Sequence, residues 1–340
     1  MATTSTAAPP RKWWQVPRPL QKVFDTFPLL AYDVNALPAR AQSATSGDLP
    51  TLYVFSTEEE ALLGAPSFNP SCLKWQAFLK LAGVKFQILP STNHASPTGA
   101  LPFILPARSS PTDVPSPIPS SKLHDYALKY GTSNPPEVSA LRLDAYQALL
   151  DVPIRNAWLQ ALYRDPQYID LLDRFYITPA SSSYWVRGAL RHQLRRAAET
   201  EIRKTGPGGA ASTALSLLVD EHSVYRAAVK ALEALATLLS ESKTGWFFGA
   251  ETPTIFDASV FAYTHLMLKY MSDAEGEVEG EKDFILASRK LGIMVRSAGS
   301  GELEQHHRRL FELLWLADSN AELLDTKARG NKLLQVQLQA

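Results

Sequence analysis

Cysteine is almost absent from this chain, with one in 340 residues. That excludes an internal disulfide framework and suits a reducing compartment, so secretion is disfavoured. Charge of one sign is missing too. Lysine and arginine together number 34, and so do aspartate and glutamate; no whole-protein field draws in nucleic acid or an anionic membrane, and any such attraction has to be local. No apolar run nears the roughly 18 to 20 residues a membrane-spanning helix requires, because Lys, Asp or Arg interrupts every stretch. Internal repeats are missing as well, which sets aside solenoids and propellers.

No acidic residue precedes Asp25, and the opening is rich in Ala, Thr and basic residues, as transit peptides are. Pro9, Pro10, Pro17 and Pro19 nevertheless forbid the amphipathic helix such a peptide needs. Residues 1–50 are therefore expected to form an extended arm rather than a cleaved address. Within it, Trp13 and Trp14 sit beside Arg11 and Lys12. Paired indoles next to cations suit a bilayer interface or a groove on another protein, and equally suit packing on the protein's own surface.

At 45% apolar residues the chain can build a sizeable core, divided between two subdomains. The most informative stretch is 93–105, N-H-A-S-P-T-G-A-L-P-F-I-L, where a polar turn passes through a Leu-Pro step into an apolar strand. Proline cannot donate to a ladder and restricts the residue before it, so Pro102 belongs at an edge or a bend. A cis Leu101-Pro102 bond would turn the chain sharply and leave a free backbone edge at the strand start, as in thioredoxin-like domains. Residues 52–55 and 84–89 read as strands, and Asn69-Pro70 as a helix cap followed by proline at the first helical position. The proline-dense stretch 106–120 reads as a surface insertion, followed by a helix over 122–130. From 135 onward the pattern is helical: 135–150 with a kink or restart at Pro153, a short helix capped by Asp165-Pro166, then 184–204, 213–242, 255–270, 301–317 and 319–335. The expected fold is an α/β thioredoxin-like domain over 51–130 beside an all-α domain over 131–340.

The run N-P-S-C-L-K-W-Q-A-F-L-K-L-A-G at 69–83 and the 93–104 segment, joined by G-W-F-F-G-A-E-T-P-T-I-F-D-A-S-V-F-A-Y at 245–263, resemble the metaxin branch of glutathione-transferase-like proteins. The blocks stand in the order and spacing of that fold. The resemblance covers about 51–271 and matches the first 50 and last 70 residues less well. It implies a glutathione-transferase-like all-α second domain and a peripheral, cytosol-facing, non-catalytic subunit of the mitochondrial outer-membrane sorting and assembly machinery. Its implied partners are the barrel-forming insertase, a second metaxin-like subunit and β-barrel precursors, with peripheral contact to the membrane surface. No cofactor or metal is expected.

Thr254 and Asp257 form a capping-box variant at the start of the 255–270 helix, a structural role worth about 1 kcal/mol or more. Cys72 lies in the first turn of its helix, where a thiol can be activated. Its spacing with Trp75, Leu79 and Ala82 reads as packing under the sheet. A glutathione transferase would also need a Tyr, Ser or Cys after the first strand and a polar clamp for the γ-glutamyl group. Ser56, Ser67, Ser71 and Tyr53 are available, but Ser120-Ser121 stand where the clamp's Glu-Ser pair would be. Arg187, Arg191 and Arg195 recur at i, i+4 and i+8, either as a solvated face or as a stripe for acidic loops or lipid headgroups. Residues 273–283 read as a mobile acidic loop. His306 and His307 are adjacent, hence on different helix sides, and make a poor metal pair.

Overall fold

The strand-forming tetrapeptide T-L-Y-V, apolar and β-branched, forms β1 (Thr51–Val54) at the centre of the N-terminal half, with all four residues buried. The computed structural model describes residues 49–107, 115–136, 140–205, 220–272 and 290–316. Trp13 and Trp14, most of the arm, the acidic loop, the 319–335 helix and the middle of the proline-rich insertion lie outside them.

Strand β1 pairs in parallel with β2 (Gln87–Pro90) and antiparallel with β3 (Phe103–Leu105), which in turn pairs antiparallel with β4 (Ile118–Pro119). The sheet order is β2-β1-β3-β4. Two helices connect β1 to β2. The first, α1 (Glu58–Leu62), is capped by Thr57, whose hydroxyl accepts from the Glu60 amide at 3.2 Å. The second, α2 (Pro70–Leu81), starts as the sequence requires: the Asn69 Oδ1 accepts from the Ser71 and Cys72 amides at 3.1 and 3.3 Å, and proline at the first position has no amide to strand. Between β2 and β3 stands only a single 3-10 turn, Asn93–Ala95, before the cis Leu101-Pro102 bond. Because β3 is flanked on both sides, Pro102 occupies the bend before an inner strand, not a sheet edge.

Helix α3 (Leu123–Tyr130) ends at Gly131, whose amide donates to the Ala127 carbonyl. A Cβ at Gly131 would lie 2.3 Å from the Ala82 carbonyl oxygen and 2.5 Å from that of Ala127, so only glycine lets the ends of α2 and α3 meet. The helical half follows. Helix α4 (Ala140–Leu149) runs into a wide π turn, Leu150–Ile154, and on into α5 (Arg155–Arg164). The kink or restart expected at Pro153 takes the form of one π turn, which absorbs the missing amide and the ring. Asp165 caps the turn Pro166–Tyr168 by accepting from the Gln167 amide at 3.1 Å, leading into α6 (Ile169–Leu172) and a second π turn, Asp173–Ile177. Then come α7 (Tyr184–Thr205), α8 (Glu221–Ser240), α9 (Ile255–Tyr270), α10 (Leu291–Ser297) and α11 (Glu302–Phe311), the last extended by the π turn Glu312–Leu316. The short helices α1 and α10 carry too few turns to show a period, and the sequence reading lacks both.

Helix α9 lies at the centre, packed against α2, α10 and α11. Nearly every side of it is buried, in keeping with its largely apolar composition, and its buried polar residues Asp257 and His265 find partners inside the core. The sheet domain and the helical part share one core. Phe68 stacks on Phe175 with ring centroids 4.4 Å apart, Phe55 tilts against Tyr176, and the Asn69 side-chain amide donates to the Tyr176 hydroxyl at 3.2 Å. At the far end of the chain, Trp315 Nε1 donates to the Gly64 carbonyl at 2.9 Å, and Lys80 Nζ to the Leu314 carbonyl at 2.9 Å. No helix among the described residues is long and apolar enough to cross a membrane.

Candidate functional site

The bend at Leu101-Pro102 is where a thioredoxin-like domain would offer its backbone to a peptide. Here that backbone is occupied. The Leu101 amide donates to Asn93 Oδ1 at 3.1 Å, and Ser96 Oγ donates to the Ala100 carbonyl at 2.6 Å, so the 93–101 turn folds back on itself. The donor of the free edge expected at the strand start is taken, because a side chain eight residues earlier accepts from the Leu101 amide. Behind the bend, Tyr53 stacks on Phe103 with centroids 4.5 Å apart, and burial pushes its phenol up to about 12. A phenol so raised stays protonated at neutral pH.

The candidate nucleophiles nearby are similarly engaged. Ser67 is fully buried; its hydroxyl donates to the Phe55 carbonyl at 2.5 Å, and its amide donates to Gln76 Oε1 at 2.9 Å. Gln76 Nε2 donates in turn to the Ala65 carbonyl at 2.8 Å, so one buried glutamine fixes the whole loop ahead of α2. Cys72 has no exposed surface, and burial pushes its thiol up to about 12 against the smaller pull of hydrogen bonding to Phe55 and Ser67. Ser56 donates to the Thr57 carbonyl at 3.2 Å, while Ser71 is exposed at the helix start. Ser120 and Ser121 sit in a single turn, Ser120–Lys122, which supplies no carboxylate.

The helical half holds a buried polar hub. Thr254 and Asp257 form the expected box: the Thr254 hydroxyl accepts from the Phe256 and Asp257 amides, and Asp257 Oδ2 accepts from the Thr254 amide at 2.8 Å and its hydroxyl at 2.7 Å. The other carboxylate oxygen reaches further. Oδ1 accepts from the Phe247 amide at 3.1 Å and from His306 Nε2 at 2.9 Å, with both side chains fully buried. Asp257 thus ties α9 to the 245–249 turn and to α11. In that turn Phe248 takes a positive φ of 62°, a conformation costly for an aromatic residue, held by packing against Phe256 and Tyr146. His307 projects from the other side of α11, as adjacency demands, and its Nε2 lies 3.0 Å from His265 Nδ1 in a column with Phe261, Phe311 and Trp315. Burial, reinforced by the neighbouring cations, drives His265 down to about 3 and His307 down to about 4, so both are neutral at pH 7. Among the described residues no group of three or more His, Cys, Asp or Glu could hold a metal ion. The long-range partners His306 and His265 carried no local signal.

The arginine stripe lies on α7 but is not uniform. Arg191 forms a two-pronged ion pair with Asp173, its Nε 2.5 Å from Oδ1 and an amino group on Oδ2, so it belongs to the fold rather than to a free basic face. Arg187 is half-buried with its Nε unpartnered among the described residues, whereas Arg195 is exposed along with Arg196. The first residues of α7 were overlooked in the sequence: Tyr184 and Trp185 stand 75% and 83% exposed. Their signal was the one already recognised at Trp13-Trp14, aromatic neighbours next to arginine.

Sheet order, inner cis-proline and a capped central helix make this a glutathione-transferase-like chain with a thioredoxin-like sheet domain and an all-α domain. Residues 70–168 match the glutathione S-transferase N-terminal domain family, and residues 228–282 match the glutathione S-transferase C-terminal domain family. No curated protein sequence gives a match. Similar solved structures include a glutathione S-transferase of Ceriporiopsis subvermispora in complex with glutathione, 14% identical, with 78% of this chain and 97% of that one covered at a TM-score of 0.44. Glutathione transferase GSTFuA2 from Phanerochaete chrysosporium is 12% identical, with 79% and 99% covered and a TM-score of 0.43. A Pseudomonas fluorescens family member with two glutathione bound is 13% identical, with 80% and 99% covered and a TM-score of 0.38.

Proposed function

We propose that this chain is a non-catalytic, peripheral subunit of the mitochondrial outer-membrane sorting and assembly machinery, of the metaxin type suggested by its 69–83, 93–104 and 245–263 segments. It sits on the cytosolic face beside the barrel-forming insertase and a second metaxin-like subunit, and helps recognise β-barrel precursors. Such a task needs a stable surface rather than a reactive group. The observation that supports this reading is the Asn93–Leu101 hydrogen bond, which consumes the backbone donor a glutathione peptide would use. Buried Cys72 and internally bonded Ser67 agree with it.

The second reading, a glutathione-dependent transferase, is favoured by the two domain-family matches. Affinity isolation of the tagged protein from mitochondria in mild detergent separates them. The subunit reading expects the insertase to come with it and expects no retention on immobilised glutathione. An unaccompanied protein that is retained on glutathione and conjugates an electrophile would replace it with the enzyme.

A further inference from the structure

We propose that the first half of α7 is a peripheral docking element for an anionic lipid surface, with Tyr184 and Trp185 seated at the headgroup boundary and Arg195 and Arg196 facing phosphate. The proposal deepens the peripheral-subunit reading by giving the chain its own membrane contact.

Three observations carry it. First, the opening of α7 exposes consecutive large side chains, Tyr184 at 75%, Trp185 at 83% and Val186 at 46%. Single exposed apolar residues are ordinary, but an exposed run of them at a helix start is a fault unless something covers it. Tyrosine and tryptophan, apolar with one polar tip, are the residues that settle at a membrane interface.

Second, the charge around that run has one sign. From Arg174 to Ala198 the chain contains no carboxylate. Asp173 neutralises Arg191, and Arg187, Arg195 and Arg196 form no ion pair among the described residues. Trp185, Ala189, His192 and Arg196 fall at i, i+4, i+7 and i+11, hence on one face, and all four are exposed. At 1.5 Å per residue, Trp185 and Arg196 stand about 16 Å apart along the axis, which suits a helix lying along a surface. A neutral apolar groove would have no use for the cations.

Third, Gly188 sits in the helix interior between these residues with open space where a Cβ would be. Glycine there costs about 0.5–1 kcal/mol of helix stability relative to alanine, and nothing in the fold demands it. A smooth waist between aromatic tip and basic stretch lets a flat surface approach closely.

The test uses the full chain and flotation with phosphatidylcholine vesicles, with or without phosphatidylserine, and needs no insertase. The wild type is expected to float with the anionic vesicles alone and to lose binding as salt rises. Tyr184→Ser with Trp185→Ser should lower the partition coefficient about tenfold or more. Arg195→Gln with Arg196→Gln should lower it roughly twenty-five-fold, at about fivefold per lost charge. These side chains are exposed, so unchanged thermal unfolding will accompany each loss. Trp13→Ser with Trp14→Ser should leave partition essentially unaltered. The proposal is overturned if the α7 variants bind as well as wild type, if only the arm variant loses binding, or if no vesicle is bound, which would assign the patch to a protein partner. Vesicle binding without insertase copurification would refute the subunit reading and leave this one standing; the reverse would do the opposite.

Discussion

Removing the Asp257 carboxylate should damage this protein more than the loss of an ordinary helix cap. A cap contributes about 1 kcal/mol. Asp257, however, also accepts from the Phe247 amide and from His306, in a volume closed to water. Asp257→Ala therefore strands two backbone amides, those of Thr254 and Phe247, the Thr254 hydroxyl and one ring N–H. Each stranded donor costs about 1–3 kcal/mol, so after relaxation a loss of about 4–6 kcal/mol is expected. That is a large share of the ~5–15 kcal/mol that holds a typical fold. Thr254→Ala removes the acceptor for the Phe256 and Asp257 amides and one of the donors to Asp257 Oδ2, and should cost about 1–2 kcal/mol. Asp257→Asn should fall between, because it keeps one acceptor oxygen but turns an amide against donors. Urea titration followed by tryptophan fluorescence reads these losses as midpoint shifts of about 1 M or more for Asp257→Ala at constant slope. An Asp257→Ala variant within about 1 kcal/mol of wild type, at unchanged slope, would refute the three-way hub.

Acid should act on the His265–His307 pair before it acts on the carboxylates. Both histidines are held neutral when folded and titrate normally when unfolded, so the unfolded chain binds more protons below about pH 6.5. Stability then falls as pH drops, by up to ~1.4 kcal/mol per pH unit per proton, until about pH 4 for His307 and about pH 3 for His265. His307→Phe should flatten the slope measured between about pH 6 and 5; an unchanged slope refutes the assignment. Cys72 should resist a disulfide exchange reagent in the folded protein and react at once in denaturant, so rapid labelling of the native state would contradict its burial. Gly131→Ala should destabilise by about 2 kcal/mol or more, since its Cβ would meet two backbone carbonyls that cannot swing aside; a neutral result would show that the ends of α2 and α3 can part.

What could be read from the residues was whatever depends on neighbours in sequence. The Asn69-Pro70 start of α2, the Thr254–Asp257 box, the bounds 255–270 and the cis step at Pro102 each rest on contacts within a few positions, where residue chemistry leaves few choices. Where the partner is remote, the reading falls short. Nothing near Asp257 announces His306, 49 residues away, and nothing near His307 announces His265. Arg191 looked like a member of a basic stripe because Asp173 lies in a different element. The Asn93 bond to Leu101 spans only eight residues, yet an asparagine in a turn has many possible acceptances, and only the fold selects one. The π turn at Pro153 shows the same limit from the other side: the proline marked a disturbance, but packing chose a bulge over a break.

The bond from Trp315 to the Gly64 carbonyl, 251 positions earlier, sets an order of events during synthesis. While the ribosome is still translating the helical half, the loop that follows α1 lacks its final clamp, and α2 lacks the carbonyl that receives Lys80. The sheet domain can form its local turns early, but these two bonds wait until the π turn Glu312–Leu316 after α11 has emerged. Contacts this distant in sequence slow the final step and leave a window in which the nascent chain is open to chaperones. A stop codon upstream of Trp315 would remove little mass yet leave the beginning of the protein unfinished.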